Sequence, residues 1–299
     1  MSFSDDYKKD RRARSLKQVE AGGIPLDAEW RLNRLRQNRK LFTSNLSVNE
    51  LTLSVSVGIH PMGQVMGAST YHVGWQNLKG YNTPMVSGQL RVPTQALYNA
   101  RHLAIGRLQI VAKLLGADGV VGVTIDRRLR EDQRDILEYM AIGTAVRLDG
   151  PERWSTPFVS AMSMQELWSL LRAGHFPIGM VFGTSVYYHV ATFANQMAMR
   201  TNRGFMSRNM EFSDYSGAIS IARQFAMGQV EFEASSIGAD GVVGVTIDNH
   251  IRDVDVDIEV AEQKIQRRDL IVTFTAQGSA IMPVAEAPYA IDYSMFLDG

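Results

Sequence analysis

Gly116-Ala117-Asp118-Gly119-Val120-Val121-Gly122-Val123-Thr124-Ile125-Asp126 recurs without a change as Gly238-Ala239-Asp240-Gly241-Val242-Val243-Gly244-Val245-Thr246-Ile247-Asp248. An identical undecapeptide at two places marks a tandem duplication. A repeated supersecondary unit often cannot bury its apolar face alone, so duplication points to stacked or ring-like packing before it points to any chemistry. Within the undecapeptide, Gly116 and Gly238 read as residues ending a helix. Asp118-Gly119 and Asp240-Gly241 then turn the chain, and Val120 to Ile125 or Val242 to Ile247 reads as a buried strand. Gly122 and Gly244 interrupt that strand identically.

Upstream of each undecapeptide lies a long helical period. Leu97, Ala100, Leu103, Ala104, Leu108, Val111 and Leu115 predict a helix from about Thr94 to Leu115, and Ile219, Ala222, Phe225, Ala226, Val230 and Ala234 predict one from Ser216 to Ile237. Gly106 and Gly228 hold the same place in mid-helix, where glycine costs about 1 kcal/mol against alanine, so close approach of another backbone is expected there. Each copy opens with a Ser-x-x-Glu capping box, Ser47 to Glu50 and Ser163 to Glu166, followed by a short helix ending at Gly58 or Gly174. A short strand bent at its glycines follows, Pro61 to His72 and Pro177 to His189, and a final strand closes each copy, Ile136 to Leu148 and Leu270 to Ile281.

The 299 residues divide into a charged arm (1–46), a first repeat domain (47–150), a linker (151–162), a second repeat domain (163–284) and an aromatic tail (285–299). A helix is expected in the arm from Asp27 to Phe42. In the second copy Val254, Val256, Ile258 and Val260 alternate with Asp253, Asp255, Asp257 and Glu259, a strand with one acidic face whose natural partners are Lys264, Arg267 and Arg268 across a hairpin, or a neighbour's basic arm. The same face could gather calcium or magnesium through hard oxygen ligands.

Lys+Arg 31 balances Asp+Glu 31, which recommends neither nucleic acid nor an anionic membrane as partner. Cysteine is absent, excluding disulfides, thiolate metal sites and a cysteine nucleophile. The N-terminal residues lack a signal-peptide core and no apolar run approaches the ~18 residues of a membrane span, so a soluble, cytoplasmic protein is expected.

The ordered set of capping-box helix, Gly-x-Ser-x-Tyr-His strand, long helix, Gly-Ala-Asp-Gly-Val-Val-Gly-Val strand and closing Gly-Thr-Ala-Val strand resembles the YbjQ-like family (UPF0145), whose label points to heavy-metal binding. The resemblance covers Ser47 to Met282 in two copies. It implies an α+β, dodecin-type β-α-β unit that forms pentameric rings, so that five of these chains would most simply give two stacked rings of five domains. The arm, the acidic insertion and the tail depart from the family pattern.

Two functional readings follow. The first is a non-enzymatic homo-oligomeric scaffold in which Gly106, Gly122, Gly228 and Gly244 serve close packing, while arm and tail contact a neighbouring subunit or a protein client. The second is a metal-binding or metal-homeostasis protein with His72 and His189, equivalent if one residue is inserted in the second copy, as ligands beside Asp126 and Asp248. Imidazole suits zinc, copper or nickel, whereas a histidine bonded at a subunit contact is the bland alternative. His60 and His175 fall out of register and are set aside. Ser69 and Ser185 lack the second glycine of a nucleophile elbow, and no phosphate loop or dinucleotide fingerprint occurs, so no enzyme is expected.

Overall fold

A computed structural model describes residues 3–37, 43–73, 86–129, 136–149, 155–192, 212–260 and 263–284. The arm carries helices α1 (Phe3–Glu20) and α2 (Leu26–Gln37). The first copy is α3 (Val48–Ser56), β1 (Ile59–His72), β2 (Gly88–Gln89), α4 (Arg91–Leu115), β3 (Gly119–Leu129) and β4 (Ile136–Leu148). The two-residue strand β5 (Phe158–Val159) leads into the second copy, which is α5 (Met164–Arg172), β6 (His175–His189), α6 (Ser213–Ser236), β7 (Gly241–Val260) and β8 (Gln263–Pro283). This is the α+β duplication expected from the sequence.

The capping boxes form as read. Ser47 accepts from the Glu50 amide and Glu50 accepts from the Ser47 amide, and Ser163 and Glu166 repeat the arrangement. Reciprocal capping offsets the strand-like composition of Thr52 to Val57, which is why α3 is helical. Gly116 ends α4 in the left-handed conformation at φ 78°, and Gly238 takes φ 76° after α6.

Several expectations need correction. The glycine-bearing strands are not short: β1 runs 14 residues and β6 runs 15. Irregular pairing is confined to Pro61/Gly63 and Pro177/Gly179. The next glycines, Gly67 and Gly183, serve helix packing, since a Cβ there would collide with the backbone carbonyl of Ala104 or Ala226. Gly106 and Gly228, by contrast, have nothing within 4 Å of a built Cβ, so the close approach expected at mid-helix is absent within the chain. The arm begins with a helix that composition did not announce, α1, with Asp10 and Arg14 paired one turn apart. The expected arm helix is described from Leu26 to Gln37. Residues 38–42 and the tail 285–299 lie outside the described residues.

The two four-stranded sheets have the orders β1-β4-β3-β5 and β2-β6-β8-β7. Each contains one two-residue strand from outside its own copy. β2, which precedes α4, pairs with β6 through Gly88 and Tyr188. β5, which lies in the expected linker, pairs parallel with β3 through Gly119 and Phe158, and Val120 and Val159. In the acidic insertion β7 and β8 extend as a hairpin, and Asp255 meets Arg268 Nε at 3.1 Å, as the alternating charges predict.

The two long helices differ in burial. On α4, residues on both sides are buried, among them Leu97, Ala100, Arg101, Ala104 and Leu108, because its own sheet covers one side and β6 the other. On α6 only Ala218, Ala222, Ala226, Val230 and Ala234 are buried, one stripe at four-residue spacing facing its own sheet. Truncating Leu97 or Leu108 to alanine removes core contacts worth roughly 2–5 kcal/mol.

Candidate assembly interface

The contact between the copies begins at β3. Phe158 N–H donates to Asp118 O (3.1 Å), Ser160 N–H to Val120 O (2.9 Å), Val123 N–H to Ser160 O (3.0 Å) and Gly122 N–H to Met162 O (2.8 Å). The segment 158–162 thus fills the outer edge of β3. Gly122 can serve because its φ of 61° turns the backbone at a bulge between Val121 and Thr124, where its N–H leaves the β4 ladder. Phe158 meets Phe176 edge to face at 5.1 Å and packs with Val121, Val146, Met164 and Leu167, so the strand edge and an apolar cluster close together.

A second layer lies over α4. Even-numbered residues of β6, including Met180, Phe182, Val186 and Tyr188, join the clusters of the first copy. Arg101 of α4 is only 3% exposed. Its guanidinium lies 5.4 Å from the Tyr139 ring and 5.3 Å from the Phe182 ring, with Nη1 3.4 Å from Thr184 Oγ1, so aromatic faces and a hydroxyl accommodate the buried charge. His102 Nε2 meets Glu233 Oε1 at 2.9 Å, and Glu233 Oε2 accepts the Phe182 N–H at 2.7 Å. Burial alone would raise the Glu233 carboxyl, but hydrogen bonds from His102, Tyr98 and Phe182 outweigh it and hold the pKa below the ordinary 4.5. Arg127 completes the contact with an ion pair to Asp248 at 2.8 Å.

The two undecapeptides meet different surroundings. Val120, Val121 and Val123 are buried at 0%, 0% and 2% exposure, whereas Val245 and Ile247 are 39% and 51% exposed. Gly244 repeats the φ of its twin, at 62°, and the same bulge separates Val243 from Thr246, yet nothing lies within 4 Å of a Cβ built on Gly244. The strand expected to be buried in both copies is therefore buried only in the first. On α6, Ile221, Phe225 and Phe232 are likewise exposed.

The metal-ligand candidates are not brought together. The first correction concerns equivalence: Tyr71 pairs with Leu137 and Tyr187 with Val272, with β1 and β6 in unbroken step, so His72 matches Tyr188 and His189 matches Val73. His72 is exposed at the level of Ile136, while Asp126 pairs with Met140 on the far side of β4, four residues along and so roughly 13 Å away in the strand direction alone. His189 stands opposite Leu270 and Asp248 opposite Thr275, an offset of five residues. Three of the four groups have another partner. His189 Nε2 lies 3.1 Å from Asp214 Oδ1, Asp126 pairs with Arg128 and Asp248 with Arg127. Burial would raise the Asp214 carboxyl; bonds from the Thr192 amide and His189 pull it below its usual value. Among the described residues no group of three or more His, Asp or Glu side chains could hold a metal ion.

Asp118 is the turn residue expected of Asp-Gly, buried and accepting the Leu148 N–H at 2.9 Å. What sequence reasoning missed is the segment 158–162, assigned there to a linker. Its signal was the serine three residues before each capping serine, Ser160 before Ser163 and Ser44 before Ser47. No described helix is long and apolar enough to cross a membrane.

A family model described as "Putative heavy-metal-binding" matches residues 59–149, which lie in the first copy. The chain is 40% identical over 217 residues to the "Encapsulin nanocompartment protein Rv1762c" of Mycobacterium tuberculosis, covering 71% of this chain and 79% of that protein. It is 37% identical over 97 residues to a "UPF0145 protein" of Shewanella frigidimarina, covering 32% of this chain and 87% of the relative. A "UPF0145 protein" of Psychromonas ingrahamii is 37% identical over 106 residues, 36% of this chain and 93% of the relative. Each of these two relatives is thus matched over most of its length by about a third of the chain. With its two copies of the helix-strand-helix-strand-strand unit, the chain belongs to the YbjQ-like UPF0145 family.

Proposed function

We propose that this protein is a non-enzymatic, self-assembling scaffold whose repeats continue from chain to chain. One observation carries the reading: Val120, Val121 and Val123 are buried in the first copy, while in the identical second stretch Val242 and Val243 are half-buried and Val245 is exposed, so each chain makes a contact internally and ends with half of another. The contact is heterologous, since α4 of the first copy rests on the sheet of the second while α6 has no such cover among the described residues. A heterologous contact, repeated, closes into a ring or runs on as a filament. The name of the Mycobacterium tuberculosis relative supports a place in a protein assembly.

Copies that sit side by side favour both sharing one ring over separate stacked layers. Five chains, the number implied by the family resemblance, would then supply ten copies to a ring. Arm and tail are left as contact segments for further subunits or a protein client, and the cytoplasm is the compartment. The metal-homeostasis reading has no comparable support, because its histidines and carboxylates stand apart. Native mass spectrometry of untagged protein tests the assembly reading: a defined oligomer, in multiples of five chains, is expected, and a monomer throughout the micromolar range contradicts it.

A further inference from the structure

The first copy displays the filled form of the junction that the second copy leaves open among the described residues, and so names the missing piece. In sequence, Thr43-Ser44-Asn45-Leu46 stands before the capping serine Ser47 as Val159-Ser160-Ala161-Met162 stands before Ser163, and each stretch follows a phenylalanine. The two are also built alike. Leu46 N–H donates to Ser44 Oγ at 3.1 Å, and Met162 N–H to Ser160 Oγ at 3.1 Å. Asn45 N–H donates to Thr144 Oγ1 at 3.1 Å, and Ala161 N–H to Ser279 Oγ at 3.2 Å, where Thr144 and Ser279 each follow the glycine of the closing strand. Each segment is therefore shaped by the same internal bond and held on its own sheet by the same second one. Val159, Ser160 and Met162 are buried against β3 of the preceding copy, whereas Thr43 and Asn45 are exposed and Ser44 and Leu46 half-buried.

From this complementarity we infer that residues 43–46 of one chain dock as a parallel strand on the open β7 edge, Gly241 to Val245, of a second copy of the chain. The register follows from the filled junction. Thr43 lies opposite Val242, as Val159 lies opposite Val120. Ser44 N–H donates to Val242 O and its carbonyl accepts the Val245 N–H, while Leu46 O accepts the Gly244 N–H that the bulge turns outward. The face of α6 that carries Arg223, Gln224 and Met227 then comes to lie on the outward residues of β1, among them Met66, as Arg101, His102 and Ile105 of α4 lie on Phe182. Strand addition of this kind draws affinity from main-chain hydrogen bonds and direction from the flanking apolar faces. The inference rests on the self-assembly reading and adds to it which segment meets which edge.

The cysteine-free chain makes the test direct. Thr43→Cys and Val242→Cys are introduced singly, and the two proteins are purified, mixed and oxidised by air with a copper catalyst, two thiols giving one disulfide while oxygen is reduced. Paired strand positions lie within the ~4.4–6.8 Å Cα separation that a disulfide needs. A covalent dimer formed only in the mixture, and a ladder from the double variant, are expected. An oligomer by native mass that gives no mixed dimer overturns the strand docking and leaves self-assembly standing; a monomer overturns both. Gly241→Ala supplies a second readout. At Gly119 a Cβ would collide with Phe158 of the docked segment, but at Gly241 the nearest atom is Ile281 Cγ1 at 3.7 Å, so the variant folds and carries a methyl group where the incoming strand comes closest. Loss of oligomer mass at an unchanged circular dichroism spectrum is expected, and full assembly contradicts the docking.

Discussion

Val123 and Val245 hold the same position in two identical undecapeptides, and one is 2% exposed while the other is 39% exposed. The difference arises from what covers them, not from the strands. Val123→Asp would bury a carboxylate with no compensating charge, at a cost of several kcal/mol, and is expected to unfold the chain or remove most of its stability. Val245→Asp is expected to leave the chain folded and to abolish assembly. Circular dichroism with sedimentation velocity separates the two results.

Gly122 and Gly244 adopt φ of 61° and 62° at matching bulges, a backbone region that a β-branched side chain enters at a cost of about 1–3 kcal/mol. Gly122→Val is expected to lower the denaturation midpoint and strain the bond from residue 122 to Met162. Gly244→Val is expected to cost a similar amount in the chain and also to remove the oligomer, as read by native mass.

Gly106 and Gly228 are predicted to behave in the opposite way. Gly106 lies beside a filled junction and still has nothing within 4 Å of a built Cβ, so its twin has no reason to be approached when the second junction fills. Alanine at either position is expected to stabilise the chain by ~0.5–1 kcal/mol through helix propensity, with assembly retained. Urea unfolding of the two variants checks the sign, and a loss of assembly would restore the close-packing role expected from sequence.

Glu233 ties α6 to both His102 and the Phe182 amide, and its carboxyl is held below 4.5. Because the folded carboxyl binds its proton more weakly than the unfolded one, the stability it contributes is complete above about pH 4.5 and is lost as pH falls through its depressed folded pKa. Glu233→Gln should therefore be less stable than the parent near neutrality, by about 1–3 kcal/mol, with the gap closing toward acid. Urea midpoints of both proteins across the acidic range provide the comparison.

Much of the fold was legible because its signals are local. The Ser-x-x-Glu boxes cap α3 and α5 with bonds spanning three residues, and the apolar period of α4 and α6 reports the face that each lays on its own sheet. The junction was not legible, for two physical reasons. β2 and β5 have two residues each, too few for any alternation, and their partners Tyr188 and Gly119 lie in the other copy, far along the chain. Burial of the undecapeptide is also a property of its neighbours, so identical residues give identical expectations and only packing tells the copies apart. The histidine pair failed through register: one inserted residue was assumed between Tyr187 and His189, and the ladder to β8 contains none.

Hydrogen exchange, read by mass spectrometry over a dilution series, tests the central claim most directly. Peptides covering Gly119 to Val123 report the filled edge and those covering Gly241 to Val245 the open one, and their different flanking residues keep them distinguishable. The account predicts that the Gly122 and Val123 amides stay protected at every concentration, while the Gly244 and Val245 amides are protected in concentrated protein and exchange freely on dilution. Equal, rapid exchange of the 241–245 amides at all concentrations would contradict it.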